Sequence, residues 1–87
     1  MITKKEFLEI FKTTASELGK IEGDNCYLGM QIIAKYTNNI VARATQGLIF
    51  SETIEKLIEA GITKKDTTEL SRLNWDIEDG EYLCCFV

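Results

Sequence analysis

The apolar residues of this chain change period along its length, and that alternation constrains the fold more than any other feature. Phe7, Leu8, Phe11, Ala15 and Leu18 recur at helical spacing. From Cys26 the period becomes two. Cys26, Leu28, Met30, Ile32, Ala34 and Tyr36 alternate with the more polar Tyr27, Gly29, Gln31, Ile33, Lys35 and Thr37, the pattern of a half-buried strand. Helical spacing returns with Ile54, Leu57 and Ile58, and alternation closes the chain. The predicted architecture is a single α+β domain over residues 1–87: helix, β-hairpin, two helices, β-hairpin, with the helices packed on a small antiparallel sheet. A chain of 87 residues buries roughly 60 to 65% of its unfolded surface, so its core must be efficient.

Turn and cap residues punctuate these segments. Thr3 and Glu6 form a capping box, with Ile2 and Phe7 placed as its hydrophobic staple. Gly19 is positioned as a left-handed C-terminal cap, and residues 21–25, with Gly23 and Asp24, read as a polar connector. Thr37, Asn38 and Asn39 supply turn chemistry for the first hairpin. A three-residue loop there keeps Ile40, Ala42 and Ala44 on the apolar face. A helical alternative exists for the same stretch, because Leu28, Ile32, Tyr36, Ile40 and Ala44 are spaced by four. Ser51 is the predicted N-cap of the second helix, and Gly61 ends it. Thr63 and Asp66 start the third, which runs through Leu70 and Leu73. The starts Ile2-Thr3-Lys4-Lys5-Glu6 and Ile62-Thr63-Lys64-Lys65-Asp66 are nearly identical. Convergent helix-start chemistry explains this, and two lysine pairs gripping phosphate is the functional alternative.

Asp79-Gly80 is a strong two-residue turn signal. Pairing about it sets Glu78 against Glu81, Ile77 against Tyr82, Asp76 against Leu83 and Trp75 against Cys84. One face is then Trp75, Ile77, Tyr82, Cys84 and Phe86. The strand Tyr82 to Val87 is apolar on both sides, as suits a central strand or a homodimer contact.

Charge is localised at that hairpin. Residues 1–75 carry ten acids and ten bases, so the net charge of -4 resides in Asp76, Glu78, Asp79 and Glu81. A local excess of one sign on a balanced domain steers partners of the other sign. The pair Glu78/Glu81 is unfavourable in the expected register, and a local rule broken without a folding reason points to function. A solvated turn is the plainer reading of the same residues.

The chemistry of catalysis is poorly supplied. There is no histidine. Placing Gly80 at the invariant glycine of a calcium loop puts Trp75 and Ile77 at ligand positions, so that motif fails. Zinc lacks ligands at workable spacing. Cys26, Cys84 and Cys85 lack a basic activator and read as core filler. An odd cysteine count with two adjacent is a poor disulfide framework, which favours a reducing, cytoplasmic setting. No glycine-rich phosphate loop is present, and a pI of 4.8 argues against direct nucleic-acid binding. The N-terminal residues mix acid and base without the apolar core of a signal peptide, and no apolar run is long enough to span a membrane.

The expectation is a small, non-enzymatic interaction protein with no cofactor or metal. It acts as an inhibitor or adaptor, docking a basic protein surface through Asp76, Glu78, Asp79 and Glu81. Its lysine-rich, Ile- and Asn-rich composition resembles that of AT-rich phage or bacterial genes. A phage or mobile-element inhibitor of a nucleic-acid-handling host enzyme is the illustrative case. The alternative is a homo-oligomeric protein that binds a small ligand or nucleotide. It would use Tyr27, Gln31, Lys35 and Arg43 on the polar face of the first hairpin, and pair through Tyr82 to Val87.

Overall fold

The computed structural model describes residues 2–17, 25–45 and 47–86. In chain order the elements are α1 (Lys4–Glu17), α2 (Asn25–Ile33), β1 (Arg43–Thr45), β2 (Leu48–Thr53), α3 (Ile54–Glu59), α4 (Lys64–Arg72), β3 (Asp76–Glu78) and β4 (Tyr82–Phe86). The strands form one antiparallel sheet in the order β1-β2-β4-β3. The α+β class expected from the alternating periods is the one observed.

The caps fold as their sequences dictate. Thr3 N–H donates to Glu6 Oε1 at 3.0 Å, and Glu6 N–H donates to Thr3 Oγ1 at 3.1 Å. Ile2 and Phe7 are both buried beside this box. Thr63 Oγ1 accepts from Asp66 N–H at 3.1 Å and opens α4. The N-cap of α3 is Thr53, which accepts from Lys56 N–H. Ser51, expected in that role, lies inside β2 and is buried. Gly61 follows α3 with φ +91°, the left-handed conformation that favours glycine. The expected cap at Gly19, the stripe position Leu18 and the connector 21–24 lie outside the described residues, as does Val87.

The expected first hairpin is corrected. Residues 25–33 form a helix, and the hairpin that follows is β1–β2, joined by the two residues 46–47. The physical reason is Gly29. Its backbone lies against the Trp75 indole, and a Cβ there would overlap the ring. Gly29 is therefore a packing position. Cys26, Gly29, Met30 and Ile33 make an i, i+3, i+4, i+7 stripe, with Gly29 and Ile33 buried. Trp75 Nε1–H donates to Asn25 O at 3.0 Å, and Asn25 Nδ2 donates to Leu73 O at 2.7 Å.

A second correction concerns cysteine. Cys26 and Cys85 form a disulfide between α2 and β4, with Cα atoms 5.8 Å apart, and Cys84 is the free thiol.

The third correction is the register of β3–β4. Asp76 pairs with Cys84, Ile77 with Leu83 and Glu78 with Tyr82. The loop is three residues, 79–81, with Asp79 at φ 54°, Gly80 at φ 66°, and Glu81 N–H donating to Glu78 O at 3.0 Å. Glu81 therefore stands outside the ladder, and the expected Glu78/Glu81 pair does not form. A slip of one residue reverses the faces of β4. Leu83 and Cys85, with Trp75 and Ile77, face the helices and join the main core of Phe7, Ile33, Ile54, Leu57 and Leu70. Tyr82 and Cys84 face the other way.

Candidate interaction surface

The outer face of the sheet follows from the register. One rung runs straight across all four strands: Arg43 on β1, Phe50 on β2, Cys84 on β4 and Asp76 on β3. On one side of it Glu78 pairs with Tyr82, and on the other Leu48 pairs with Thr45 and with Phe86. A bulge marks the end of β2, since the pairing Phe50↔Cys84 is followed by Thr53↔Tyr82. Ser51 and Glu52 thus share the space opposite Leu83, and both are buried. The Glu52 carboxylate accepts from Thr37 Oγ1 at 3.0 Å and from Thr53 N–H at 3.2 Å.

Phe50 and Cys84 are buried, yet neither belongs to the main core. They form a separate cluster on the outer face. The Arg43 guanidinium lies 4.3 Å from the Phe50 ring centroid, a cation–π contact. The Tyr82 ring meets Phe50 edge-on at 6.4 Å, and Tyr82 remains 36% exposed. Burial pushes the Cys84 thiol up to about 11, with the negative charges of Asp76 and Glu78 adding to the shift. Cys84 is fully buried, and its raised pKa keeps it a neutral thiol at neutral pH.

All four residues of the acidic cluster are exposed. Asp76 and Glu78 lie on the outer face, Asp79 lies in the turn, and Glu81 immediately precedes β4. No salt bridge among the described residues involves any of them. Asp76 Oδ1 accepts from the neighbouring Ile77 N–H at 2.8 Å. Backbone holds the loop in place, with Ile54 N–H donating to Glu81 O at 2.8 Å. The outer face therefore has buried Phe50 and Cys84 at its centre, exposed Tyr82 beside them, and carboxylates without salt bridges among the described residues along one edge.

The residues of the ligand-binding alternative are distributed differently. Tyr27, Gln31 and Lys35 recur every four residues along α2 and the turn that follows it, and Gln31 Nε2 donates to Tyr27 OH at 3.1 Å. Gln31 and Lys35 line a shallow groove of ≈ 420 Å³ with Leu28, Ile32, Glu69 and Leu73. Arg43 lines a separate one with Ala42, Phe50 and Tyr82. The Lys35 ammonium is held by Asp66 at 3.0 and 3.2 Å, and Tyr36 OH also donates to that carboxylate. Burial works to raise the Asp66 pKa, but the hydrogen bonds from Tyr36 and Lys35 outweigh it, and the pKa falls below the ordinary value. The hydrogen bond to Asp66 raises the Lys35 pKa in turn.

The two similar helix starts lie side by side. Lys64 Nζ meets Glu6 Oε2 at 3.0 Å, and Lys4 Nζ meets Glu55 Oε1 at 3.4 Å. The Lys64 hydrogen bond, with those from Thr3, lowers the Glu6 pKa to about 2. One lysine of each pair is thus committed to a carboxylate. Among the described residues no three His, Cys, Asp or Glu side chains converge as metal ligands, and no helix is long and apolar enough to cross a membrane.

The Phe50–Cys84 cluster was missed by the sequence reading. Its only signal is the apolar run Leu48-Ile49-Phe50 after Gly47, which is too short to separate strand from helix. Compared with protein families, curated proteins and solved structures, the chain matches none.

Proposed function

We propose that this chain is a small acidic, non-catalytic interaction protein that docks a basic surface of a larger protein through Asp76, Glu78, Asp79 and Glu81. One observation carries the reading. Among the described residues the four carboxylates make no salt bridge, and Asp76 and Glu78 share the outer face of the sheet with an exposed aromatic, Tyr82. Aromatic anchors beside a charged rim are the composition of protein interfaces, and clustered charge of one sign accelerates encounter with the opposite sign. Inhibition or scaffolding of a nucleic-acid-handling enzyme fits this chemistry, because a row of carboxylates can occupy a groove built for phosphates.

On cysteine count the proposal places the chain in the cytoplasm. The Cys26–Cys85 bond pulls the other way, since disulfides persist mainly in oxidising compartments. The thiol count of protein isolated from its native host decides between them. The docking reading is tested by capturing partners on immobilised protein and on the variant Asp76→Lys/Glu78→Lys/Asp79→Lys/Glu81→Lys. Partners held by this surface are lost from the variant and elute from the wild type as salt is raised. Equal capture by both proteins refutes the proposal.

A further inference from the structure

The Cys26–Cys85 bond joins two sulfurs in unequal settings. Cys26 lies in the first turn of α2 and is half-buried, whereas Cys85 lies in β4 and is fully buried. We propose that Cys26 is a thiol-exchange site, at which a low-molecular-weight thiol opens the bond to Cys85 and unfastens α2 from the sheet. None of Asp76, Glu78, Asp79 or Glu81 takes part, so the inference does not rest on the docking proposal.

The exchange runs in two steps. The thiolate RS⁻ forms a bond to Cys26 Sγ as the Cys26–Cys85 bond breaks. The electron pair of the broken bond leaves on Cys85 Sγ, which takes up the proton that RSH released. A second RSH attacks the outer sulfur of the mixed disulfide, giving the Cys26 thiol and RSSR. In sum the protein disulfide gains two electrons and two protons, and two RSH become RSSR. Excess RSSR drives the same steps backwards and closes the bond.

Two effects compete over which sulfur is attacked. A departing thiol of low pKa leaves faster. Backbone N–H groups at a helix N-terminus stabilise a thiolate, and burial disfavours one. On that count Cys26 is the better leaving group and Cys85 the better target. Access favours the reverse, because Cys85 offers an attacking sulfur no exposed surface. A leaving-group preference only scales the rate, whereas a fully buried sulfur is reached only if the fold opens locally. Access therefore decides for Cys26.

The fold tolerates the open state. As a neutral thiol Cys85 remains a small apolar side chain in the main core. The start of α2 is then held by the Asn25 hydrogen bonds with Trp75 and Leu73 and by Gly29 against the indole. Loosening of that turn uncovers Trp75. A bond with one accessible sulfur is of the exchangeable kind, closed in oxidising surroundings and opened by a reducing thiol pool.

The test maps the adduct. The oxidised full chain is incubated with reduced glutathione under native conditions, quenched in acid, denatured and blocked with N-ethylmaleimide. Tryptic peptides prepared without reductant are then read by mass spectrometry. Cleavage after Lys20, Lys35 and Arg72 places Cys26 in peptide 21–35, and Cys84 with Cys85 in peptide 73–87. Glutathione is expected on 21–35, with two maleimides on 73–87, in excess of the reverse pattern by about tenfold or more. Iodide quenching of Trp75 rises as the adduct forms, while circular dichroism stays native. Cys84→Ser gives the same Cys26 adduct at the same rate. Glutathione mainly on 73–87, or no adduct until denaturant is added, overturns the assignment. An adduct that leaves Trp75 quenching unchanged, or that forms only in step with loss of the native spectrum, overturns the release of α2. Exchange abolished by Cys84→Ser would route the attack through Cys84 and overturn the inference equally.

Discussion

Reduction of the Cys26–Cys85 disulfide is expected to be the largest single perturbation of this fold. The bond closes a loop with a sequence separation of 59. Loop-closure entropy for that length corresponds to about 4 kcal/mol at 25 °C. A domain of this size loses about 4–8 °C of melting temperature for each kcal/mol. Reduction, or Cys26→Ser, is thus expected to lower the melting temperature by roughly 15–30 °C. The element most directly released is α2, whose other ties include the Trp75–Asn25 and Asn25–Leu73 hydrogen bonds, the packing of Gly29 on the indole and the burial of Ile33 in the main core. The chain has one tryptophan, so Trp75 fluorescence reports the seating of α2 in the same experiment. The assay is a pair of thermal melts, with and without reductant, followed by fluorescence and circular dichroism. Thiol titration of the denatured, non-reduced protein accompanies it and should find Cys84 alone. The variant Cys84→Ser serves as control, since it leaves the bridge intact. A melting temperature that moves by less than about 5 °C on reduction would contradict the entropic argument. Three titratable thiols in protein purified without reductant would contradict the bond itself.

Gly29→Ala should destabilise the protein by about 2 kcal/mol. Overpacking of the buried indole and loss of its hydrogen bond exceed the roughly 1 kcal/mol of helix propensity gained. A urea midpoint that rises would show that Trp75 does not occupy this site. Stability should also fall in acid. The folded pKa values of Glu6 and Asp66 lie below their unfolded values, so both contribute above about pH 4 and lose that contribution as pH falls through the folded values. For Glu6 the window runs from about 4.5 down to about 2. Melting temperatures between pH 5 and 2.5 should drop less steeply in Glu6→Gln and Asp66→Asn, and slopes equal to wild type would refute both assignments.

Two helix starts and the position of the last β-turn were legible because their chemistry is local. Thr3 with Glu6, Thr63 with Asp66, and Asp79-Gly80 act within four residues, and each forms where the sequence places it. Residues 25–33 were misread because Gly29 falls among the more polar alternate positions, whereas its value is the space it leaves for Trp75, distant in sequence. The slip at β3–β4 has a similar origin. Asp79-Gly80 suits a two-residue or a three-residue loop, and tertiary contacts select between them: Leu83 and Cys85 enter the main core, and Glu81 O accepts from Ile54 N–H. The disulfide escaped because an odd cysteine count with two adjacent argues against a framework, and because the expected register puts Cys85 on the face away from the core. The acidic cluster was legible as charge but not as geometry. The expected like-charge pair Glu78/Glu81 does not form, and the placement of Asp76 and Glu78 beside Tyr82 and Cys84 now motivates the surface instead.

The most direct test compares reversal of the hairpin acids with reversal of acids on the helices. With a partner captured on the wild type and then purified, affinity is measured for wild type, for Asp76→Lys/Glu78→Lys/Asp79→Lys/Glu81→Lys, and for Glu9→Lys/Glu55→Lys/Glu59→Lys on the helices, each at two salt concentrations. Reversal of the hairpin acids is expected to weaken binding by about 100-fold or more and to abolish its salt sensitivity, with the helix variant within a few-fold of wild type. Equal effects of the two variants, or none from the hairpin reversal, would contradict the claim that this face of the sheet is where the protein works.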